Sequence, residues 1–378
     1  MWLERKATGE PLFSVCVPQY NRTSFLRLLL DSIRAQTFRD FEICISDGGS
    51  NDGRHTEIIE WLNFSGMPFR FARTELNLQY DANLRASLTL ARGRYCVLFG
   101  NDDVLAGEDS LADLADAIRQ SGFPQVVLTN YLEMASGTVR RRVRAPGLLG
   151  AGPAAALRNF RNFSFVSGIV LERESAQRFA TAKWDGSEMY QTYVACRMIA
   201  AGGMLLGLER VIVHKDVQVA GETADSYAQR PRVQVSGIRA ICLPLCRYGQ
   251  VAFDAIAPYL ERPHRGLYAA SIMAQLVVFT YPPWLVEYRR VQSWRFAACF
   301  ALGMRPGNLL GRIELRWWSR SCLWVLYSAS TLAGLLVPPW LFGVLRPALY
   351  ALAKMGNHRR VMARGSSTSH GPVLSCTR

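Results

Sequence analysis

An apolar run formed by Tyr95, Cys96, Val97, Leu98 and Phe99 stops at Gly100 and Asn101 and is followed by two adjacent carboxylates, Asp102 and Asp103. A short apolar run bounded by turn residues reads as a central strand of a parallel sheet, buried on both faces. In open α/β sheets, ligands bind just beyond the carboxyl ends of the strands. Two aspartates placed there repel each other unless a positive charge sits between them. A divalent cation holding a diphosphate meets that need, because hard cations take carboxylate and phosphate oxygens. The alternative is a solvated turn after a strand.

The chain before this point repeats the same pattern. Residues 13–17 and 42–45 read as strands and 69–73 as a weaker third. Phe25, Leu28, Leu29, Ser32 and Ile33 recur at helical spacing, as do Ile58, Ile59 and Leu62. Thr23 and Ser24 are candidate N-caps for the first helix, and Asn51 or Asp52 for the second. Residues 81–92 read as a helix stopped by Gly93. Alternating strands and helices predict a mostly parallel, doubly wound α/β sheet.

Polar residues gather after these strands. Pro18, Gln19, Tyr20, Asn21 and Arg22 follow the first; Asp47, Gly48, Gly49 and Ser50 follow the second. Tyr20 could stack on a nucleobase and Arg22 could reach a phosphate. Asp47 could accept a hydrogen bond from a base ring N–H, and Gly48 and Gly49 let a ligand approach the backbone. Proline, asparagine and glycine are also ordinary turn formers. Three such loops on one sheet edge favour a nucleotide site over that plainer account.

These segments, in this order and spacing, resemble the family 2 glycosyltransferases, which have the GT-A nucleotide-sugar fold. The residues that carry the resemblance are 15–22, 45–53, 77–83, 91–95 and 100–103. The resemblance extends over about 12–215 and is nearest to abequosyltransferase-like and rhamnosyltransferase-like enzymes of O-antigen and capsule assembly. It implies a nucleoside-diphosphate sugar held by Pro18, Tyr20, Asn21, Arg22, Asp47, Gly49, Tyr80, Asn83, Asn101 and Asp102. It also implies Mg²⁺ or Mn²⁺ carried by Asp103, alone or together with Asp102, with Asn101 offering its carbonyl oxygen. Two positions depart from the family pattern: Gly48 stands where a second aspartate is common, and the D-x-D box begins with Asn101.

The following half reads as catalytic through the same resemblance. Residues 164–171 read as a strand with Gly168 in its middle. Asp185 or Ser187 could cap a helix whose apolar face includes Met189, Tyr193 and Cys196 and which ends at Gly202 and Gly203. The family places an acidic base at the start of this helix. Glu188 matches best by position, and Asp185 is the runner-up. Displacement at an anomeric carbon needs a carboxylate to take the acceptor proton. It also needs a cation to absorb charge on the leaving diphosphate. Glu188 could equally be a favourable charge near a helix N-terminus. Trp184 could be a sugar platform or a core residue, and His214 a third metal ligand or an ordinary satisfied histidine.

From about 230 the chain turns apolar, aromatic and arginine-rich. Residues 266–286 and 321–345 carry no charge, and each contains a Pro-Pro-Trp. Paired prolines break a helix, and the apolar run 322–337 is about 24 Å long as a helix, short of a bilayer core of about 30 Å. Trp317, Trp318 and the arginines 316, 320 and 346 flank it as interfacial anchors. A tail that lies on or dips into one leaflet is expected, with a soluble helical bundle as the alternative. The net charge of +14 rests almost wholly on arginine, since lysine occurs four times. That suits phosphates and anionic lipid headgroups. The basic residues accompany Trp and Leu in an apolar tail, which argues against nucleic acid as partner. Arg140, Arg141, Arg142 and Arg144 read as a solvated loop that could instead meet acceptor pyrophosphate or lipid.

The expected organisation is an N-terminal extension (1–11), a GT-A domain (12–220), a helical membrane-associating region (221–360) and a disordered tail (361–378). Nine scattered cysteines without a C-x-x-C pair exclude a disulfide framework or zinc site and suit a reducing cytoplasm. Residues 1–10 are polar, unlike a signal peptide. The function expected is inverting sugar transfer to a lipid-linked saccharide at the cytoplasmic face of the inner membrane. The rivals are a processive polysaccharide synthase and an inactive sugar-nucleotide or lipid-binding scaffold. Gln292, Arg295 and Phe296 only approach the Q-x-x-R-W box of the former.

Overall fold

The protein is described by a computed structural model that covers residues 1–143, 145–222, 244–311 and 313–344. Arg144, Arg346 and the expected tail 361–378 lie outside the described residues. Among the described residues, eleven strands form one sheet in the order β1-β4-β3-β2-β5-β10-β7-β11-β6. These are β1 (Trp2–Arg5), β2 (Phe13–Gln19), β3 (Phe41–Asp47), β4 (Phe69–Arg73), β5 (Tyr95–Leu98), β6 (Val104–Leu105), β7 (Val126–Glu133), β8 (Thr138–Arg140), β9 (Gly147–Gly150), β10 (Ile169–Glu172) and β11 (Leu205–Lys215). Strand β8 pairs with β7 and β9 with β11.

The first half is the expected doubly wound unit. Strands β4, β3, β2 and β5 run parallel, joined through α1 (Thr23–Arg34), α2 (His55–Ser65) and α3 (Gln79–Leu90). The second half corrects the mostly parallel expectation. Strand β10 inserts antiparallel between β5 and β7, making the sheet mixed. Residues 164–168, expected as strand, are not part of it, because Gly168 has φ +77° and ends the ladder. A Cβ on Gly168 would lie 2.3 Å from Thr129 Oγ1, so only glycine fits there.

Alternate residues of each strand serve opposite faces. Val15, Val17, Ile43 and Ile45 meet α1, α2 and α4 (Ser110–Gln120) on one face. Cys16, Cys44, Cys96 and Leu98 face the other side, where α7 (Tyr190–Ala200) packs. The expected caps shift by a residue or two. Thr23 is inside α1, and Arg22 stands before it in a left-handed conformation. Asp52 instead accepts the Arg54 N–H at 3.1 Å ahead of α2.

The helices beyond residue 244 share the α7-side core with the sheet. Ile272, Leu276 and Leu285 are fully buried in it. Each such side chain contributes roughly 1.5–3 kcal/mol by leaving water. Tyr248 donates its hydroxyl to Phe160 O at 3.2 Å, and Gln275 donates to Leu157 O at 3.3 Å. The charge-free stretch 266–286 thus folds into the Arg262–Phe279 and Tyr281–Val291 helices, with one face inside the protein. Pro282 and Pro283 occupy the first turn of the second helix, where a missing N–H costs nothing. Among the described residues no single helix is long and apolar enough to cross a membrane. The bent pair Arg262–Phe279 and Tyr281–Arg290 passes by length and composition together. Gln292 and Ser293 form a helix junction, and the neighbouring Trp294 Nε1 donates to Leu335 O at 3.2 Å.

Candidate active site

The carboxyl ends of β2, β3 and β5 lie side by side and carry three loops. Gln19, at the end of β2, ties them together. Its carbonyl accepts from Gly48 N at 2.9 Å and from Asn83 Nδ2 at 2.8 Å. Its amide oxygen accepts from Asn101 Nδ2 at 2.7 Å, and its amide nitrogen donates to Asn21 O at 2.5 Å. Asn21 and Arg22 both have positive φ, a conformation asparagine tolerates. Asn21 is fastened to Asn51 by reciprocal bonds of 2.8 and 2.9 Å and donates its own N–H to Ser50 Oγ at 2.7 Å. The loops after β2 and β3 therefore form one braced rim, with Tyr20 exposed on it. Gly48 and Gly49 are needed there, because a Cβ would meet Asn83 Nδ2 at 2.9 Å and Leu76 C at 2.8 Å respectively.

Asp47, expected to meet a nucleobase, stands buried at the end of β3. Its carboxylate is fully buried, with Oδ1 accepting from Ser50 N at 2.8 Å and Oδ2 lying 3.4 Å from Arg73 Nε. The carboxylate is closed to solvent and braces the turn through Ser50.

The two aspartates after β5 also divide their work unexpectedly. Asp103 is buried, with Oδ2 accepting from Ser167 Oγ at 2.5 Å and Oδ1 from Asp216 N at 2.9 Å. Burial, then the neighbouring Asp102 charge, pushes its carboxyl well above the usual range. Asp102 is the open member: its side chain is 18% exposed and lies 3.1 Å from Arg22 Nη1. Arg22 in turn lies over the Phe25 ring. Asp103, expected to carry a metal, thus has both carboxylate oxygens engaged within the protein, and Asp102 is the more exposed of the two. Asn101 is 8% exposed and spends its amide hydrogens on Gln19 and Asn21.

Asp81, inside α3, reaches across to the turn before α7. Its Oδ2 accepts the backbone N–H of Glu188 at 2.7 Å, and its Oδ1 accepts that of Tyr190 at 3.0 Å. Glu188 has φ +59°, which puts its side chain out of the helical path. Ser187 Oγ accepts from Met189 N at 3.2 Å, so the helix start is served by Asp81 and Ser187 rather than by Asp185. Asp185 is held by Arg85 through both carboxylate oxygens, the second bond being 2.8 Å. That pairing commits Asp185 to Arg85, whereas Glu188 lies nearer the helix start. Trp184 Nε1 donates to Asp254 at 2.9 Å and its ring packs on the core, as a structural residue does.

Tyr80 links the two halves. Its hydroxyl donates to Gln191 Oε1 at 3.2 Å, and Gln191 donates to Ser164 O at 3.2 Å. Burial pushes the phenol well up, and the charges of Asp81, Glu188, Asp102 and Asp103 push it further. The charges of the acid pair after β5 and of Glu188 thus all act on one side chain.

Arg142 corrects the reading of a solvated basic loop. Its guanidinium donates to Thr129 O, Phe165 O and Ser167 O at 2.7–2.9 Å beneath the Gly168 turn, and burial pulls its pKa down to about 10. Arg140 pairs with Glu133 at 2.6 Å. Lys215 pairs with Asp216 beside Asp103. Asp81, Ser167, Gln191 and Asp216 were not singled out in the sequence. All of them act on residues 60 or more positions away or through the backbone, which no local pattern displays.

Among the described residues no three His, Cys, Asp or Glu converge as a ready metal cage. Burial lowers the pKa of His214, and it joins no such group. The donor set still fits a hard divalent cation. Such ions are held by one or two carboxylates together with waters and substrate phosphates, and Asp102 offers an open carboxylate oxygen.

Residues 14–177 match the family model described as glycosyl transferase family 2. Over 105 residues, 27% of this chain and 31% of the relative, the chain is 49% identical to abequosyltransferase RfbV of Salmonella typhimurium. Over 109 residues, 28% of this chain and 41% of the relative, it is 35% identical to a PGL/p-HBAD biosynthesis glycosyltransferase of Mycobacterium bovis. The chain thus spans less than half the length of these relatives. The crystal structure of S. aureus TarS 1-349 in complex with UDP-GlcNAc is similar with a TM-score of 0.58 at 16% identity, over 85% of this chain and 89% of that one. That likeness shows the fold, which is GT-A.

Proposed function

We propose that the protein, whose residues 14–177 match the glycosyl transferase family 2 model, transfers a sugar, with inversion, from a nucleoside-diphosphate sugar to a hydroxyl of a lipid-linked saccharide. Glu188 takes the acceptor proton as the acceptor oxygen attacks the anomeric carbon. The bond from that carbon to the diphosphate oxygen breaks, and the electron pair leaves with the nucleoside diphosphate. A single displacement of this kind inverts the anomeric centre. Asp102 would hold Mg²⁺ or Mn²⁺, which supplies charge neutralisation for the leaving diphosphate. Arg22 stands beside Asp102 and contributes a guanidinium to the same phosphates. Tyr20 and the braced rim of Asn21 and Ser50 face the nucleoside, with Pro18, Gly49 and Asn83 shaping its floor. The reaction takes place at the cytoplasmic side of a membrane, where lipid-linked acceptors are available.

The observation that supports this reading is that Asp81, next to Tyr80 on α3, holds the turn of Glu188 through two backbone N–H groups, while the charges of Glu188, Asp102 and Asp103 all act on the Tyr80 phenol. A base next to a diphosphate-facing acid is what inverting transfer requires. The test is release of nucleoside diphosphate by purified protein from UDP-, GDP-, dTDP- and CDP-sugars, with Mn²⁺ or with EDTA. Metal-dependent turnover of one donor, lost in Asp102→Asn, supports the reading. Nucleotide binding indifferent to both metal and Asp102 contradicts it.

A further inference from the structure

We infer that the outward face of the Trp317–Leu336 helix is a docking surface for an anionic lipid leaflet, an inference that rests on the lipid-linked acceptor proposed above for its biological sense. The helix is about 30 Å long at 1.5 Å per residue. One side, with Leu323, Tyr327 and Leu335, is buried against the helical bundle. The opposite side presents Trp318, Val325, Leu332 and Leu336, of which Val325 is 70% and Leu336 64% exposed. Monomeric proteins rarely expose so continuous an apolar surface without using it.

Three observations select lipid over a second copy of the chain. Trp318, Cys322, Val325, Ala329, Leu332 and Leu336 follow the 4-3 spacing of a coiled-coil seam. A seam in water, however, is narrow and flanked by charges. Here the exposed apolar surface extends from Trp324 to Leu326, a spread of roughly 200° at 3.6 residues per turn, and residues 321–344 carry no charge. Next, exposed tryptophans stand at both ends: Trp317 and Trp318 at the start, Trp294 and Trp340 near the finish. Tryptophan favours the headgroup level, where one part of the ring is wet and the other apolar. Finally, the charge is one-sided. After Glu314 the chain has no acidic residue, while Arg316, Arg320, Arg346, Lys354, Arg359, Arg360, Arg364 and Arg378 are all basic. Anionic headgroups complement that excess. With its inner side committed to the bundle, the helix lies along the leaflet instead of crossing it.

The test is flotation of the full chain with vesicles of phosphatidylcholine, with and without phosphatidylglycerol. Val325→Glu/Leu332→Glu runs alongside the parent, and donor turnover is assayed without lipid on the same preparations. Both substituted side chains are exposed, so the variant keeps its fold and its turnover. The parent is expected to float with phosphatidylglycerol vesicles and to release in high salt. The variant is expected to lose about tenfold or more of its bound fraction. A variant that floats like the parent overturns the inference, as does a parent that never floats. A parent that fails to float but forms dimers that the variant abolishes assigns the face to a second copy. Loss of flotation with turnover intact leaves the catalytic reading standing; absent turnover with normal flotation does the reverse.

Discussion

The Asp81 carboxylate grips the turn of Glu188 from a helix 107 positions earlier in the chain, accepting the Glu188 N–H at 2.7 Å and the Tyr190 N–H at 3.0 Å. One carboxylate thereby fixes the entry to α7 and the left-handed backbone of Glu188. Hydrogen bonds to a charged acceptor are each worth about 1.5–3 kcal/mol. Asp81→Asn keeps one acceptor oxygen and turns an N–H donor toward another donor. Its turnover is expected to fall about 10- to 100-fold, with the donor KM nearly unchanged. Steady-state kinetics separates this from a purely structural role, which would lower active-protein content and leave the turnover per folded molecule alone.

Asp102 and Arg22 lie 3.1 Å apart and form the face proposed to meet the diphosphate. Asp102→Asn is expected to abolish the metal response and lower turnover about 100-fold or more. Arg22→Gln is expected to raise the donor KM about tenfold, the loss of a charge-assisted contact. Calorimetric titration of nucleoside diphosphate with and without Mn²⁺ reads both effects apart from turnover.

Asp185 is the other acidic residue on the turn before α7, and Arg85 occupies both its oxygens. Asp185→Asn is expected to cost about 1 kcal/mol of stability, as a partly exposed pair does, and to leave turnover within a few-fold. Loss of turnover comparable to that of Glu188→Gln would reverse their assignment.

Much of the nucleotide half was legible in the sequence because strands, turns and acidic ends follow one another locally. The runs ending at Pro18, Asp47 and Asp102 stand at one sheet edge, as their spacing predicts. Side-chain direction was not legible. Asp47 turns inward because Ser50 N and Arg73 take its oxygens, and Asp103 is sealed by Ser167 and Asp216, 64 and 113 positions away. The antiparallel insertion of β10 also depends on a partner strand that no local period reveals. The charge-free stretches looked alike in composition. Packing separates them: Ile272 and Leu276 are inside the core, Val325 and Leu332 outside.

Gly168 carries a further prediction. With φ +77° and a Cβ position 2.3 Å from Thr129 Oγ1, Gly168→Ala is strained in backbone and in space. A loss of about 3 kcal/mol or more is expected, read as a lower urea midpoint with an unchanged slope.

Burial raises the carboxyls of Asp103 and Asp81 above their unfolded values, so the native state keeps protons that the unfolded chain releases. Stability contributed by these groups is full below the unfolded pKa of about 3.9 and declines as pH rises toward the folded values. Asp103→Asn removes part of that decline. Urea unfolding of parent and variant across the acid-to-neutral range is expected to show a smaller downward slope in the variant; identical slopes would refute the assignment.

Glu188→Gln tests the central claim most directly, with the productive donor and metal in place and donor binding measured by calorimetry on the same sample. The account predicts donor binding within a few-fold of the parent and turnover lower by about a thousandfold, the scale of a lost general base. Turnover at the parental rate would contradict it and return the base to another residue of the site.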